Sequence, residues 1–171
     1  MLDRQISFAA QLDMWWLYFR WQWLRDPHHA APAAQLLLAL LMLGMGAYGA
    51  TVHWRMDRAS CIYWATLMVT LTVLLVYYMN FKYGYSQSPA LGDSVPREVR
   101  DRDYFYMWSF SAWSVWVAIG IAEIWRSTRY GAALLAVGLV PLIGNWSAAS
   151  RRNDTVARDW AVEIGRESCR E

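Results

Sequence analysis

Pro96-Arg97-Glu98-Val99-Arg100-Asp101-Arg102-Asp103-Tyr104-Phe105-Tyr106 closes a polar loop that begins near Tyr83, and it runs without a break into an aromatic, apolar stretch reaching Trp116. A dense charged collar that gives way directly to apolar residues is the pattern of a chain entering a membrane. Working outward, continuous apolar runs lie at 34–52, 60–79, 105–125 and 130–146, the last being the shortest. Each run is assigned to a helix, because an isolated strand in hydrocarbon leaves its backbone groups without partners. The expected fold is an all-α integral membrane protein with about four transmembrane helices over residues 34–146.

Composition agrees with this reading. The 171 residues are 57% hydrophobic and include 12 Trp and 8 Met, too apolar for an ordinary soluble domain. The net charge of +2 is small, and the basic residues sit in clusters. No broad basic face invites nucleic acid, and the arginines read as loop charges beside the spans. Cys61 and Cys169 fall on opposite membrane faces in this topology and cannot pair within one chain. Met1-Leu2-Asp3-Arg4-Gln5 lacks the basic start and compact apolar run of a secretory signal, so insertion is expected to rely on the spans themselves.

Trp54, Trp108, Trp125 and Trp146 mark the span ends, where indoles sit at headgroup level. Ser114, Ala118 and Ala122 recur at every fourth position, which predicts that this face packs inside the bundle. Pro141 between Gly138 and Gly144 makes the last span a candidate for a bend. Orientation follows from the short connections His53–Arg58 and Arg126–Arg129, which carry four arginines against one aspartate. The positive-inside rule puts both in the cytoplasm, with the 80–104 loop and the C-terminal tail extracytoplasmic. An integral membrane location is expected.

Residues 1–33 form a separate N-terminal region. Leu12, Trp15, Trp16, Phe19 and Trp23 recur at helical spacing, predicting an interfacial helix that anchors the chain or packs as the end of another element. His28-His29 lies between Pro27 and Pro32 in a turn-like linker; with no third ligand nearby, the pair reads as solvated rather than metal-binding. Residues 147–171 form a polar tail too short to bury a core. No metal or cofactor is expected, and no nucleotide-binding loop or nucleophile motif is present.

In the collar, Pro96 suits the first turn of a helix and Glu98 its positive end, so a helix is predicted from Pro96 onward. Arg97 would then face Asp101 and Glu98 would face Arg102, three arginines balancing three acids. Self-neutralisation is one reading. The other is that Arg97, Arg100 or Arg102 binds a phosphate at the membrane surface, with Asp101, Asp103 or Glu98 holding a hydroxyl or orienting an arginine. Glu123 is an intramembrane carboxylate, but it stands one turn from Arg126 and reads as a snorkelling ion pair. Asn145-Trp146-Ser147 and Asn153-Asp154-Thr155 match the glycosylation pattern, too common a match to carry a role.

Asn80-Phe81-Lys82-Tyr83-Gly84-Tyr85-Ser86, the Arg97–Tyr106 collar, Trp108-Ser109-Phe110-Ser111-Ala112-Trp113, and Pro141-Leu142-Ile143-Gly144-Asn145-Trp146 with Ala148-Ala149-Ser150 occur in this order. Together they resemble the bacterial transmembrane-protein-260-like family, related to the protein O-mannosyltransferases, over roughly Gln11 to Val162. The resemblance implies a fragment of a larger C-type glycosyltransferase bundle in a bacterial inner membrane. Such an enzyme takes a sugar, expected to be mannose, from a polyprenyl-phosphate donor and passes it to Ser/Thr hydroxyls of an acceptor protein. In that family a carboxylate in the first external loop serves as base or orients the acceptor. This chain has too few spans and only the later part of the membrane domain, so no catalytic residue carries over, and the chain alone is expected to be inactive. Its closing Ile164–Glu171 does not resemble the family's continuation, so a truncation or a sequence join is expected there.

The functional expectation is thus the membrane portion of a lipid-linked-sugar glycosyltransferase, with Arg97, Arg100, Arg102, Asp101 and Asp103 as candidate substrate contacts and membrane lipid as surroundings. The alternatives are a non-enzymatic scaffold that binds a partner through the 80–104 loop, and a small transporter. Transport is disfavoured by the shortage of polar residues in the first two spans.

Overall fold

The structure is a computed structural model that describes residues 5–25, 31–128, 131–150, 152, 155–156 and 159–162. Its described elements are helical and no strand occurs among them, apart from an isolated parallel bridge between Tyr83 and Arg97. Helix α1 is Phe8–Trp23, with Ser7 as N-cap accepting from the Ala10 amide. Helix α2 is Pro32–Met56, with proline at its start, where a missing N–H is harmless. Asp57 then caps helix α3, Arg58–Met79, by accepting from the Ala59 and Ser60 amides. Helix α4 runs Met107–Ser127 behind a single 3-10 turn at Asp103–Tyr106. Helix α5 is Gly131–Gly144, and a single turn α6 is Trp146–Ala149.

Among the described residues three helical stretches are long and apolar enough to cross a membrane: Pro32–Met56, Arg58–Met79 and Asp103–Ser127. We therefore describe the chain as an integral membrane protein. The predicted fourth span at 130–146 is not among them. Its helix α5 has 14 residues, a length of about 21 Å at 1.5 Å per residue, short of the roughly 30 Å of hydrocarbon. Pro141 lies inside that helix without ending it, and the helix stops three residues later, at Gly144.

Helix α4 is the centre of the bundle and packs mainly on α2. The two approach so closely because Gly49 and Gly120 meet there: a Cβ on Gly120 would lie 2.6 Å from the Met45 carbonyl oxygen. Without a hydrophobic drive between helices in lipid, close backbone approach of this kind supplies the attraction. The face of α4 that packs is Ser109, Ala112, Trp116 and Gly120, whereas Ser114, Ala118 and Ala122 are exposed, contrary to the prediction. Helix α3 lies furthest out, with 17% of its apolar stretch buried against 39% for α4. A single π turn, Thr70–Leu74, interrupts α3, and there Thr72 Oγ1 meets the buried Ser109 Oγ at 2.7 Å. Trp54, Trp108, Trp125 and Trp146 are exposed at helix ends, as an indole belt requires.

The N-terminal helix does not lie freely in the interface. Met14, Tyr18 and Phe19 of α1 are fully buried and join Met42, Val76, Phe81, Tyr106, Phe110 and Val117 in one core. The predicted stripe had the right period but the wrong centre. Gln11 and Tyr18 turn inward because the loop offers them partners, while Leu12, Trp15 and Trp16 are only partly buried.

Two buried tyrosines in this core differ in their partners. Tyr18 donates to Asp101 Oδ1 at 2.9 Å, whereas the Tyr106 hydroxyl has no partner among the described residues. Tyr106→Phe is therefore expected to be neutral or to stabilise by about 1 kcal/mol, and Tyr18→Phe to destabilise by about 1–2 kcal/mol. Thermal unfolding in detergent followed by tryptophan fluorescence checks the opposite signs.

Candidate functional site

The polar end of the bundle is built from residues 80–106 folded against α1. Asn80 ends α3 in the left-handed region at φ 46°, which an asparagine tolerates better than most side chains, and turns the chain over the bundle. Gln11 Nε2 donates to the Phe81 carbonyl at 2.8 Å, and Gln87 Nε2 donates to the Ala10 carbonyl at 2.7 Å. These reciprocal amide bonds tie the start of α1 to the loop. Further along, Tyr83 N donates to Pro96 O at 3.1 Å and Glu98 N to Tyr83 O at 2.8 Å, joining the two halves of the loop.

Within this loop the predicted helix from Pro96 is absent: the chain stays non-helical to Arg102 and becomes helical only at Asp103. The expected Arg97–Asp101 pair is therefore not made. Arg97 points back into the loop instead. Its Nε donates to Gly92 O at 2.6 Å, its Nη1 to Gly84, Tyr85 and Gln87 carbonyls at 3.2, 3.3 and 2.7 Å, and its Nη2 to Ser88 O at 2.7 Å. A planar fork of donors suits this clamp, which leaves little of Arg97 for a ligand.

Asp101 is the second anchor. Its Oδ1 accepts from Tyr18 and from the Ser86 amide at 3.0 Å, and its Oδ2 accepts from Ser86 Oγ at 2.6 Å. Burial, and then the Asp101 carboxylate beside it, hold the Tyr18 hydroxyl well above the usual tyrosine range, so it stays a donor. Gly84 sits against this node, where a Cβ would lie 2.6 Å from the Tyr18 oxygen. The predicted Glu98–Arg102 pair is present at 2.9 Å, although no helix carries it, and Glu98 also accepts from the Lys82 amide at 3.2 Å. Arg100 is exposed, its guanidinium 5.8 Å from the Tyr104 ring centroid.

Asp103 belongs elsewhere. It lines a cleft of about 220 Å³ together with Trp21, Gln22, Arg25, Asn145, Ala148 and Ala149. Asn145 fixes two walls of this cleft: its Oδ1 accepts from the Arg25 amide at 2.6 Å, and its Nδ2 donates to Gln22 O at 3.0 Å. The end of α5 is thereby joined to the end of α1, and the Asn145 amide is committed to that contact. The five predicted site residues thus separate into two loop anchors, an ion-paired Arg102, an open Arg100 and a cleft residue.

Tyr18 and Arg25 escaped the sequence reading, and Ser86 and Asn145 entered it only as parts of longer motifs, not as site residues. Their partners lie at separations such as the 83 residues between Tyr18 and Asp101 or the 120 between Arg25 and Asn145. Glu123 and Arg126 make no ion pair; among the described residues Glu98–Arg102 is the one that forms. Cys61 is a free, buried thiol. His28, His29, Asn153 and Cys169 lie outside the described residues. Among the described residues no group of three His, Cys, Asp or Glu side chains converges as a metal site. Compared with family models, curated proteins and solved structures, the chain matches none of them.

Proposed function

We propose that the chain is the membrane portion of a glycosyltransferase that transfers a sugar, mannose by the sequence resemblance, from a polyprenyl-phosphate donor to protein Ser/Thr hydroxyls. One observation carries the reading: Arg97 and Asp101 pin the loop from within, and Arg100 is left open at the mouth of a membrane-crossing helix, beside Arg102. A lipid-linked donor presents its phosphate at that depth. Arg100 would meet the phosphate directly, and Arg102 would add the donors that Glu98 does not occupy, stabilising the charge on the departing lipid phosphate. By the resemblance, the carboxylate that takes the acceptor's proton would come from a first external loop, and none of the described residues is assigned that role. The loop would face the extracytoplasmic side, since Arg55 and Arg58 stand at the other end of the bundle.

Titrating the purified chain in detergent with polyprenyl phosphate, read by tryptophan quenching, tests the proposal. Arg100→Ala and Arg102→Ala are each expected to weaken binding roughly tenfold, about 1.4 kcal/mol. Glu98→Gln controls for loss of the ion pair. Unchanged affinity in well-folded variants would remove the donor reading. A scaffold remains the second reading, favoured by the exposed apolar residues Tyr85 and Val99 on the loop, Val99 being 93% exposed; a stable partner released by Val99→Asp would support it.

A further inference from the structure

We infer that the cleft between the end of α1, Asp103 and Asn145 is a binding site for a zwitterionic phosphoethanolamine headgroup of a bilayer lipid. The cleft brings together opposite charges that do not neutralise each other. Arg25 and Asp103 both line it, yet no ion pair joins them. The Arg25 guanidinium lies over the Trp21 indole, 4.7 Å from the ring centroid, an interaction that orients it without consuming its hydrogen-bond donors. The Asp103 carboxylate accepts no hydrogen bond from the described residues and is half-buried. A cation and an anion without an ion-pair partner among the described residues, facing one small cavity, are complementary to a ligand carrying both charges.

Depth in the membrane selects the source of that ligand. Asp103 opens the stretch Asp103–Ser127, and Gly144 closes α5 next to Leu24. Helix ends converge at the cleft, and Trp21 lines its wall with the exposed Trp146 nearby in the chain, so it sits at the level of lipid headgroups. A phosphate would take the Arg25 fork and a primary ammonium would donate to Asp103. Ala148 and Ala149 leave the room. A choline headgroup keeps the charges but has no N–H to donate to Asp103, and a glycerol headgroup leaves that carboxylate facing no cation. The site is distinct from Arg100 and Arg102 and stands whether or not they bind a donor phosphate.

The test reconstitutes the full chain in nanodiscs of phosphatidylglycerol containing equal phosphatidylethanolamine and phosphatidylcholine, then extracts it and weighs the retained lipids by mass spectrometry. Phosphatidylethanolamine is expected to be retained over phosphatidylcholine roughly tenfold, as one charge-assisted hydrogen bond allows. Asp103→Asn, nearly isosteric, should abolish that preference, and Arg25→Gln should lower retention of both lipids. Circular dichroism confirms that each variant is folded. Equal retention of the two lipids, or a preference that survives Asp103→Asn, overturns the inference. Tighter binding of soluble O-phosphoethanolamine than of phosphatidylethanolamine overturns the bilayer as its source.

Discussion

Gly49→Val is expected to break the bundle at its tightest point. A Cβ on Gly49 would overlap the Trp116 carbonyl oxygen and come within 2.9 Å of the Gly120 amide nitrogen. Both obstacles are backbone, so no change of rotamer relieves them and α2 must move away from α4. Among the described helices that pair is the most extensively packed, with Met42, Trp113, Trp116 and Val117 around it. Parting the helices also loosens the bonds from Trp113 Nε1 to Met42 O at 3.2 Å and from Trp116 Nε1 to His53 Nδ1 at 3.1 Å. We expect a loss of about 3 kcal/mol, the upper range for overpacking. Gly44 lies in the same helix, and a Cβ there would meet nothing within 4 Å, so Gly44→Ala should be neutral or gain up to about 1 kcal/mol of helix propensity. Detergent unfolding followed by circular dichroism compares them. Equal midpoints for Gly49→Val and wild type would refute the close crossing.

The same crossing shows what sequence conveys about a membrane bundle. The runs at 34–52, 60–79 and 105–125 found their helices α2, α3 and α4 because sustained apolarity and helical length are properties of one segment. Which face of each helix packs is a property of two. Ser114, Ala118 and Ala122 had the spacing of an interface, but Gly46 and Gly49 on α2 provide the room, and they receive Trp113, Trp116 and Gly120 instead. In α1 the aromatic residues surround the helix so fully that its period is legible and its buried side is not.

The loop failed for a related reason. Pairing at four-residue spacing predicts contacts only if the backbone is helical, and from Pro96 to Arg102 it is not. Glu98 and Arg102 met regardless, because long side chains reach across a bend. Asp101 instead found Ser86 and Tyr18. Nothing local in the sequence marks a carboxylate that answers to a tyrosine in the first helix. Charge balance over the collar was legible, and the division between arginines that hold the loop and the one left open was not.

Arg97→Ala, the second large effect, should release the loop while sparing the spans. The guanidinium bonds five carbonyls between Gly84 and Gly92, so its loss leaves a segment of turns and a 3-10 helix with few other ties. Hydrogen bonds to a charged group contribute about 1.5–3 kcal/mol each when shielded. Most of these are exposed to water, so about 3 kcal/mol for the whole clamp is the expected loss of local stability. Amide hydrogen exchange in residues 85–93 should then accelerate about a hundredfold, with α2 and α4 protected as before. Arg97→Lys should recover little, because a single ammonium cannot face carbonyls on both sides of the loop. If the lysine variant exchanges like wild type, the positive charge alone holds the loop and the fork geometry is irrelevant. If Arg97→Ala exchanges like wild type, the bonds from Gln11, Gln87 and Asp101 suffice, and Arg97 becomes free to serve as a ligand contact beside Arg100.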